Sequence, residues 1–233
     1  MLARPVPREH QYGTCFAAPS ITLGPMASQT WRDDPKLLGV KLARYKFVAK
    51  MLEGKINVAE LGCADGFGSQ VVRQAVGRVS LYDFDPVWRD AAIATGSPFR
   101  VHDITLHRLP SRHDAIYMLD TLEHIDPKDE TRALYNICAS LTPDGVFIAG
   151  IPSLESQAYA SEISKVGHVN CKTGTKFKRD LERYFRNVFL FGMNDEVVHT
   201  GFAPMCHYLL ALCVAPNASI PSGDAESVMA GVD

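Results

Sequence analysis

Short apolar runs without polar alternation recur along the sequence. Four of them lie at residues 56–61, 79–82, 114–119 and 146–150. Runs of this kind are typical of strands that are covered on both faces, as in a parallel sheet. Amphipathic stretches separate them, so the pattern predicts an α/β fold with a doubly wound, mainly parallel sheet. Ligands of such sheets lie outside the carboxyl ends of the strands.

Capping residues predict where the intervening helices begin. Asp34-Pro35 and Asp126-Pro127 place a helix cap before a proline, which predicts helices to about residues 52 and 141. A third helix follows Pro86, and a third strand is predicted at 98–102. Two further apolar runs, within 184–192 and 205–213, have no helical pattern between them, which predicts a C-terminal antiparallel hairpin.

The first strand leads directly into a glycine-rich turn. Gly62, Gly66 and Gly68 follow Leu61, and a helix is predicted over about residues 67–76. Glycines allow a sharp turn and the close approach of a ligand, and the N–H groups of the helix point to the same place. The dinucleotide fingerprint G-x-G-x-x-G would need glycines at positions 64 and 67, which are Ala64 and Phe67.

The motif E-x-G-x-x-x-G-x-G at Glu60 to Gly68 resembles the first motif of class I S-adenosylmethionine (SAM) methyltransferases. The resemblance extends over residues 35–215 and is strongest at 58–68 and 114–125. It implies a Rossmann-like methyltransferase fold of seven strands, with the last strand inserted antiparallel between the fifth and sixth. It also implies SAM as cofactor, with its methionine part wrapped by the glycine turn. The cofactor contacts carried over from the strand ends are Glu60, Gly62, Cys63, Ala64, Gly66 and Leu119.

Further cofactor contacts follow from the same resemblance. Asp83 would accept the ribose hydroxyls with Phe84 beside the adenine, although Asp85 is an alternative that more naturally caps the next helix. Asp103 and Ile104 would contact the adenine. Arg44 matches the methionine carboxylate or is a solvated helix residue, two interpretations of about equal weight.

The residues Leu122-Glu123-His124 resemble the L-E-H sequence of small-molecule methyltransferases. A hydroxyl or ammonium acceptor must lose a proton, so we expect a histidine base, chosen among His124, His168 and His199. Two loops, 152–174 and 194–204, follow strands at the cofactor edge and are predicted to form the acceptor pocket. They contain the candidate acceptor-binding residues Asn170, Asp195, Glu196 and Thr200.

Charge is unevenly distributed. The whole chain carries a net charge of −2, whereas the segment 162–186 has seven basic against three acidic residues. The excess is consistent with an anionic acceptor, although the solvated face of an amphipathic helix is the interpretation that the sequence favours. The overall charge gives no indication of nucleic-acid or membrane binding.

Composition sets the remaining expectations. The 233 residues, 46% of them hydrophobic, suffice for one core, which we place at residues 31–215. We expect 1–30 and 216–233 to be a disordered extension and tail. Six cysteines without a C-x-x-C pair read as free thiols, and scattered histidines predict no metal. We expect a cytoplasmic monomer or homodimer without a signal peptide or membrane span.

The sequence therefore predicts a SAM-dependent methyltransferase that acts on a polar small molecule, most readily at oxygen. N-methylation is an alternative, and a SAM-binding sensor or partner domain without catalysis is another. Two loops rich in polar residues favour the enzyme. Nucleic-acid methylation has no support, since neither an N-P-P-Y nor a P-C catalytic motif is present.

Overall fold

The structure, a computed structural model, describes residues 21–217. The helices are α1 (Pro25–Asp33), α2 (Pro35–Met51), α3 (Ser69–Arg73), α4 (Arg89–Ala94), α5 (Pro127–Ala139), α6 (Glu162–Gly167) and α7 (Gly174–Leu181). The strands are β1 (Asn57–Leu61), β2 (Arg78–Asp83), β3 (Phe99–Val101), β4 (His113–Leu119), β5 (Leu141–Pro152), β6 (Phe185–Asn194), β7 (Val197–His199) and β8 (Tyr208–Pro216). Short 3-10 turns include Leu122–His124 and Glu155–Tyr159.

All eight strands form one sheet in the order β3-β2-β1-β4-β5-β8-β6-β7. β1 to β5 pair in parallel, and β8 lies antiparallel between β5 and β6. The doubly wound α/β fold and the C-terminal antiparallel strands are thus as predicted. The eighth strand is an addition, because β7 pairs with β6 at the sheet edge. The carboxyl ends of β1 to β6 meet at one edge.

Each face of the sheet has its own core. Val58 and Tyr117 pack with α2 residues such as Leu52 on one face. On the other, Ile116 and Phe147 pack against α5 and α7. Neighbouring residues of a strand point to opposite faces, so continuous apolar runs fill both cores.

Three local expectations need correction. The helix predicted at 67–76 is limited to α3. The strand predicted at 146–150 is longer, because β5 begins at Leu141 and contains a bulge where the ladder jumps from Leu141 to Val146. The segment 25–30, predicted to be disordered, belongs to helix α1, where Ala27 and Thr30 are buried. A proline at its first position favours this helix start. Residues 1–20 and 218–233 lie outside the described residues.

Other findings concern the described part of the chain only. Cys63, Cys138, Cys171, Cys206 and Cys213 are free thiols. No helix within residues 21–217 is long and apolar enough to cross a membrane.

Candidate active site

The glycine turn after β1 has the backbone conformation that its glycines allow. Gly62 and Gly66 have φ angles of +73° and +69°, a region that disfavours side chains. A Cβ atom on Gly62 would overlap the side chain of Thr121, so the turn after β1 touches the turn after β4. Cys63 is buried beneath this turn, and burial raises the pKa of its thiol far above the usual value.

Glu60 is a buried structural residue whose side chain does not line the cavity described below. Its carboxylate accepts hydrogen bonds from the hydroxyls of Tyr45 at 3.0 Å and Tyr117 at 2.8 Å, and from that of Ser69. Burial raises the pKa of Glu60 from 4.5 to about 7 despite these three donors. Within the motif, Glu60 therefore supports the glycine turn from the side of the core.

Two carboxylates at the end of β2 have different partners. Asp83 accepts from the backbone N–H of Ala64 at 2.9 Å and of Asp85 at 3.0 Å, and it is buried. Asp85 instead accepts from the N–H of Val87, as the cap of a 3-10 turn. Asp83 is thus the carboxylate tied to the glycine turn. Two acceptor sites of its four are used, which leaves capacity for a ligand.

A cavity of about 230 Å³ opens beside these strand ends. Its lining includes Gly62, Phe84, Asp103, Ile104, Thr121 and His124. One Asp103 oxygen accepts from the N–H and hydroxyl of Thr105. Three strand ends thus contribute residues that the sequence predicted to lie together: Gly62 after β1, Phe84 after β2, and Asp103 and Ile104 after β3. Leu119 is buried at the end of β4 and does not line this cavity.

Arg44 reaches the same edge from α2. Its guanidinium contacts the carboxylate of Asp120 at 2.5 Å and lies 3.8 Å from the centre of the Tyr208 ring. Asp120 has a φ of +51° and donates its N–H to the Tyr208 hydroxyl. The carboxylate outweighs burial and raises the pKa of Arg44 further. The sequence motif had given no sign of Asp120 or Tyr208 as partners of this arginine.

Helix α1 lies directly on the glycine turn. The N–H of Ala27 donates to the Asp65 carboxylate at 2.9 Å, and Asp65 is buried. A Cβ atom on Gly24 would overlap the Asp65 side chain. The segment before α2 therefore packs against the glycine turn, a contact that the absence of periodicity in the sequence did not indicate.

Three side chains form a cluster next to the cavity. One ligand atom each of Glu123, His124 and His168 lies within 4.8 Å of the other two, and the imidazole rings are 5.1 Å apart. Glu123 is 1% exposed, and burial raises the pKa of its carboxyl group well above the usual value. Burial and His124 lower the pKa of His168. The sequence predicted no metal because the histidines are scattered, yet the fold joins two that are far apart in the chain.

The remaining candidate residues lie elsewhere. His199 uses both ring nitrogens in its own hairpin, with Asn194 and with the N–H of Gly201. Asp195, Glu196 and Thr200 are exposed and do not line the cavity. Asn170 is buried and accepts from Lys172 at 2.6 Å, which makes it part of the loop's support.

A family model of methyltransferase domains matches residues 31–188. The chain belongs to this methyltransferase family. It is a class I SAM-dependent methyltransferase, and SAM is its cofactor. No curated protein matches the chain significantly in sequence.

Solved structures show the same fold at low sequence identity. One is the N-methyltransferase NodS from Bradyrhizobium japonicum WM9 with S-adenosylhomocysteine (SAH), at 17% identity and a TM-score of 0.60. The match covers 80% of this chain and 92% of NodS. A SAM-dependent methyltransferase from Thermotoga maritima matches at 15% identity and a TM-score of 0.63, over 81% and 94% of the two chains.

A third structure is the complex of the Haloferax volcanii Trm112 methyltransferase activator with a methyltransferase. It matches at 16% identity and a TM-score of 0.60, over 84% of this chain and 100% of that one. At these identities the comparison concerns the fold alone.

The residues at the strand ends fit SAM. Gly62, which has no Cβ, lines the cavity together with the carboxylate residue Asp103. Asp83 does not line the cavity, but its neighbours Tyr82 and Phe84 do. Asp120, which is paired with the guanidinium of Arg44, directly precedes the lining residue Thr121. This is a suitable set of partners for a nucleoside joined to a zwitterionic amino acid.

Proposed function

We propose that the protein transfers the methyl group of SAM to an oxygen atom of a polar small molecule. The observation that carries this proposal is the pair His124 and His168, whose rings lie 5.1 Å apart beside the cavity. A hydroxyl acceptor must lose a proton during transfer, and imidazole nitrogens are suited to promote that loss near neutral pH. SAM supplies an electrophilic methyl group when bound.

The cofactor contacts follow from the site. Asp83 would accept the ribose hydroxyls, Phe84, Asp103 and Ile104 would contact the adenine, and Gly62 to Gly66 would pass along the methionine part. Arg44 and Asp120 complement the carboxylate and ammonium groups of that part, because each has the opposite charge. Glu60 and Cys63 would act only through the shape of the turn.

The acceptor pocket would consist mainly of the loop after β5, since His168 lies in it. The charge excess of segment 162–186 gives little support to an anionic acceptor. Three of its lysines are paired within the segment, with Glu162, Asp180 and Glu182. A fourth, Lys172, is buried and paired with Glu130 at 2.8 Å. We therefore propose a polar acceptor without requiring negative charge.

N-methylation is the second candidate, because NodS, with this fold, is an N-methyltransferase. Release of SAH from SAM in a screen of hydroxylated and amino-containing small molecules tests both reactions. Product mass and fragmentation identify the methylated atom. Tight SAH binding with no turnover on any acceptor class would instead favour a sensor or partner domain.

Histidine variants test the site assignment. His124→Ala and His168→Ala should each lower turnover by roughly 10²–10⁴-fold, the usual contribution of positioned proton transfer, with SAM affinity nearly unchanged. His199→Ala should lower it much less, since both of its ring nitrogens are engaged in the hairpin. Near-normal turnover in all three variants would contradict a role for histidine in proton removal.

A further inference from the structure

The cluster of Glu123, His124 and His168 has the properties of a metal site. Its residues come from two segments that backbone hydrogen bonds hold together. The N–H of Asn170 donates to the carbonyl of Glu123 at 2.9 Å, and Ser153 pairs with Lys172 next to it. The two segments are thus fixed relative to each other independently of the cluster's side chains.

Within residues 21–217, each of the two histidines uses one ring nitrogen in a hydrogen bond and has no partner on the other. Nδ1 of His124 lies 2.8 Å from the carbonyl oxygen of Gly167, which only accepts, so Nδ1 carries the proton. Nδ1 of His168 lies 2.8 Å from Oε1 of Gln157. The Gln157 amide donates its Nε2 to the carbonyl of Ser153, which orients Oε1 toward the ring. In both rings Nε2 is therefore the atom with a lone pair.

This arrangement is typical of metal-binding histidines. They almost always donate the other ring N–H to a carbonyl or carboxylate oxygen, which fixes the tautomer and the ring orientation. Here two such donations, from His124 and His168, occur side by side.

Glu123 provides an independent observation. Its side chain is buried, and its Oε2 atom has no hydrogen-bond partner among the described residues. The nearest guanidinium, that of Arg44, is bound to Asp120. A buried carboxylate oxygen without a partner costs free energy unless a proton or cation satisfies it. One carboxylate oxygen of Glu123 and one ring nitrogen of each histidine lie within 4.8 Å of one another, so one cation would satisfy all three groups.

We propose that Glu123, His124 and His168 bind one divalent transition-metal ion through a carboxylate oxygen and two Nε2 atoms. Two imidazoles and a carboxylate suit Zn²⁺, Mn²⁺, Fe²⁺ or Co²⁺, whereas Ca²⁺ and Mg²⁺ prefer oxygen ligands. Ligand atoms bind Zn²⁺ at about 2.0–2.2 Å, so the cluster must contract slightly.

The site also refines the chemistry, and this part rests on the proposed function. Three protein ligands leave at least one position open for the acceptor hydroxyl, and a bound cation lowers the pKa of such a group. With their Nε2 atoms on the cation, the histidines would promote proton loss through the cation and would not accept the proton themselves. The hydroxyl proton passes to water, the oxygen lone pair forms the new C–O bond, and sulfur keeps the electron pair of the broken S–C bond. No oxidant or reductant is needed. The acceptor class is thus a hydroxylated molecule that binds the cation through oxygen.

The test uses the full chain without an affinity tag, treated with a chelator and then titrated with Zn²⁺ by calorimetry. We expect one equivalent to bind per chain. Glu123→Gln, His124→Ala and His168→Ala should each weaken binding by at least about 10–100-fold, a loss that even an outer-shell partner causes. His107→Ala, which removes an exposed histidine outside the cluster, is the matched control and should bind as the unaltered chain does.

Two further measurements keep the outcomes distinct. Gln157→Leu should weaken Zn²⁺ binding by roughly 10–100-fold without removing a ligand, because it releases the His168 ring. SAH binding is measured on every variant and should persist, which also shows that each variant folds. Equal Zn²⁺ affinity in the cluster variants and the control, or no Zn²⁺ binding, would overturn the metal site. If the chain binds Zn²⁺ but not SAH, the metal site is supported and the proposed function is refuted.

Discussion

Individual carboxylates at the strand ends have separable roles. Asp83 is tied to the glycine turn, and Asp85 caps the following 3-10 turn. Asp83→Asn should therefore weaken SAH binding by about 1.5–3 kcal/mol, the range for a hydrogen bond to a charged group. Asp85→Asn is the matched control, because asparagine also caps well, and should leave SAH affinity unchanged. Calorimetric titration distinguishes them, and the reverse pattern would transfer the ribose contact to Asp85.

Glu60 makes stability depend on pH. Its pKa is about 7 in the folded protein against an ordinary value of 4.5, so the folded state binds more protons than the unfolded state between these pH values. Stability from this group is complete below pH 4.5 and decreases as pH rises to 7, by roughly 3 kcal/mol. The variant Glu60→Gln has no carboxyl group to titrate at this position. Its free energy of unfolding, relative to that of the unaltered chain, should therefore rise between pH 4.5 and 8 in denaturant titrations, and a constant difference would contradict a buried, titrating Glu60.

Helix α1 packs against the glycine turn through Asp65. Gly24 is so close to Asp65 that a methyl group there has no room, whereas Gly39 in α2 has only an ordinary contact, 3.8 Å to Glu196. Gly24→Ala should release α1 and increase hydrogen exchange in residues 25–33, while Gly39→Ala should not. Hydrogen exchange with mass spectrometry provides the measurement. Unchanged protection of α1 in both variants would mean that the Asp65 contact does not hold this helix.

The helices and strands also show which features could be predicted from the sequence. Capping pairs such as Asp34-Pro35 and Asp126-Pro127 predicted the starts of α2 and α5 because they act through neighbouring residues. The start of α1 was missed because the contact that holds it, between Ala27 and Asp65, joins residues 38 positions apart. The edge strand β7 was missed for a similar reason, since three residues have too little pattern and gain their order from pairing with β6.

The same difference between local signals and distant contacts applies to the site residues. Gly62, Asp103 and Ile104 could be expected near one another, because each follows a strand that the local pattern predicts, and parallel strands end at one edge of the sheet. Their roles toward SAM, and that of Asp83, follow from the resemblance alone. Contacts between residues of different elements along the sheet edge could not be predicted. Arg44 with Asp120, and His124 with His168, join residues from separate elements, and no spacing rule connects them. For the same reason scattered histidines were a poor argument against a metal site.

The whole molecule is a SAM-dependent methyltransferase fold whose ligand groups converge at one sheet edge. A ligand that binds only the folded state stabilises it by about 2.7 kcal/mol at 100 times its Kd. For a chain of this size we expect this to raise Tm by roughly 5–11 °C. The increase should be smaller in Asp83→Asn at the same SAH concentration.

The most direct test of the account is therefore thermal unfolding of the unaltered chain with and without SAH, together with a calorimetric titration. The account predicts saturable binding of one SAH per chain and a Tm that rises with SAH concentration. Unchanged Tm and no binding heat at concentrations up to the solubility of SAH would contradict the assignment of this sheet edge as a SAM site.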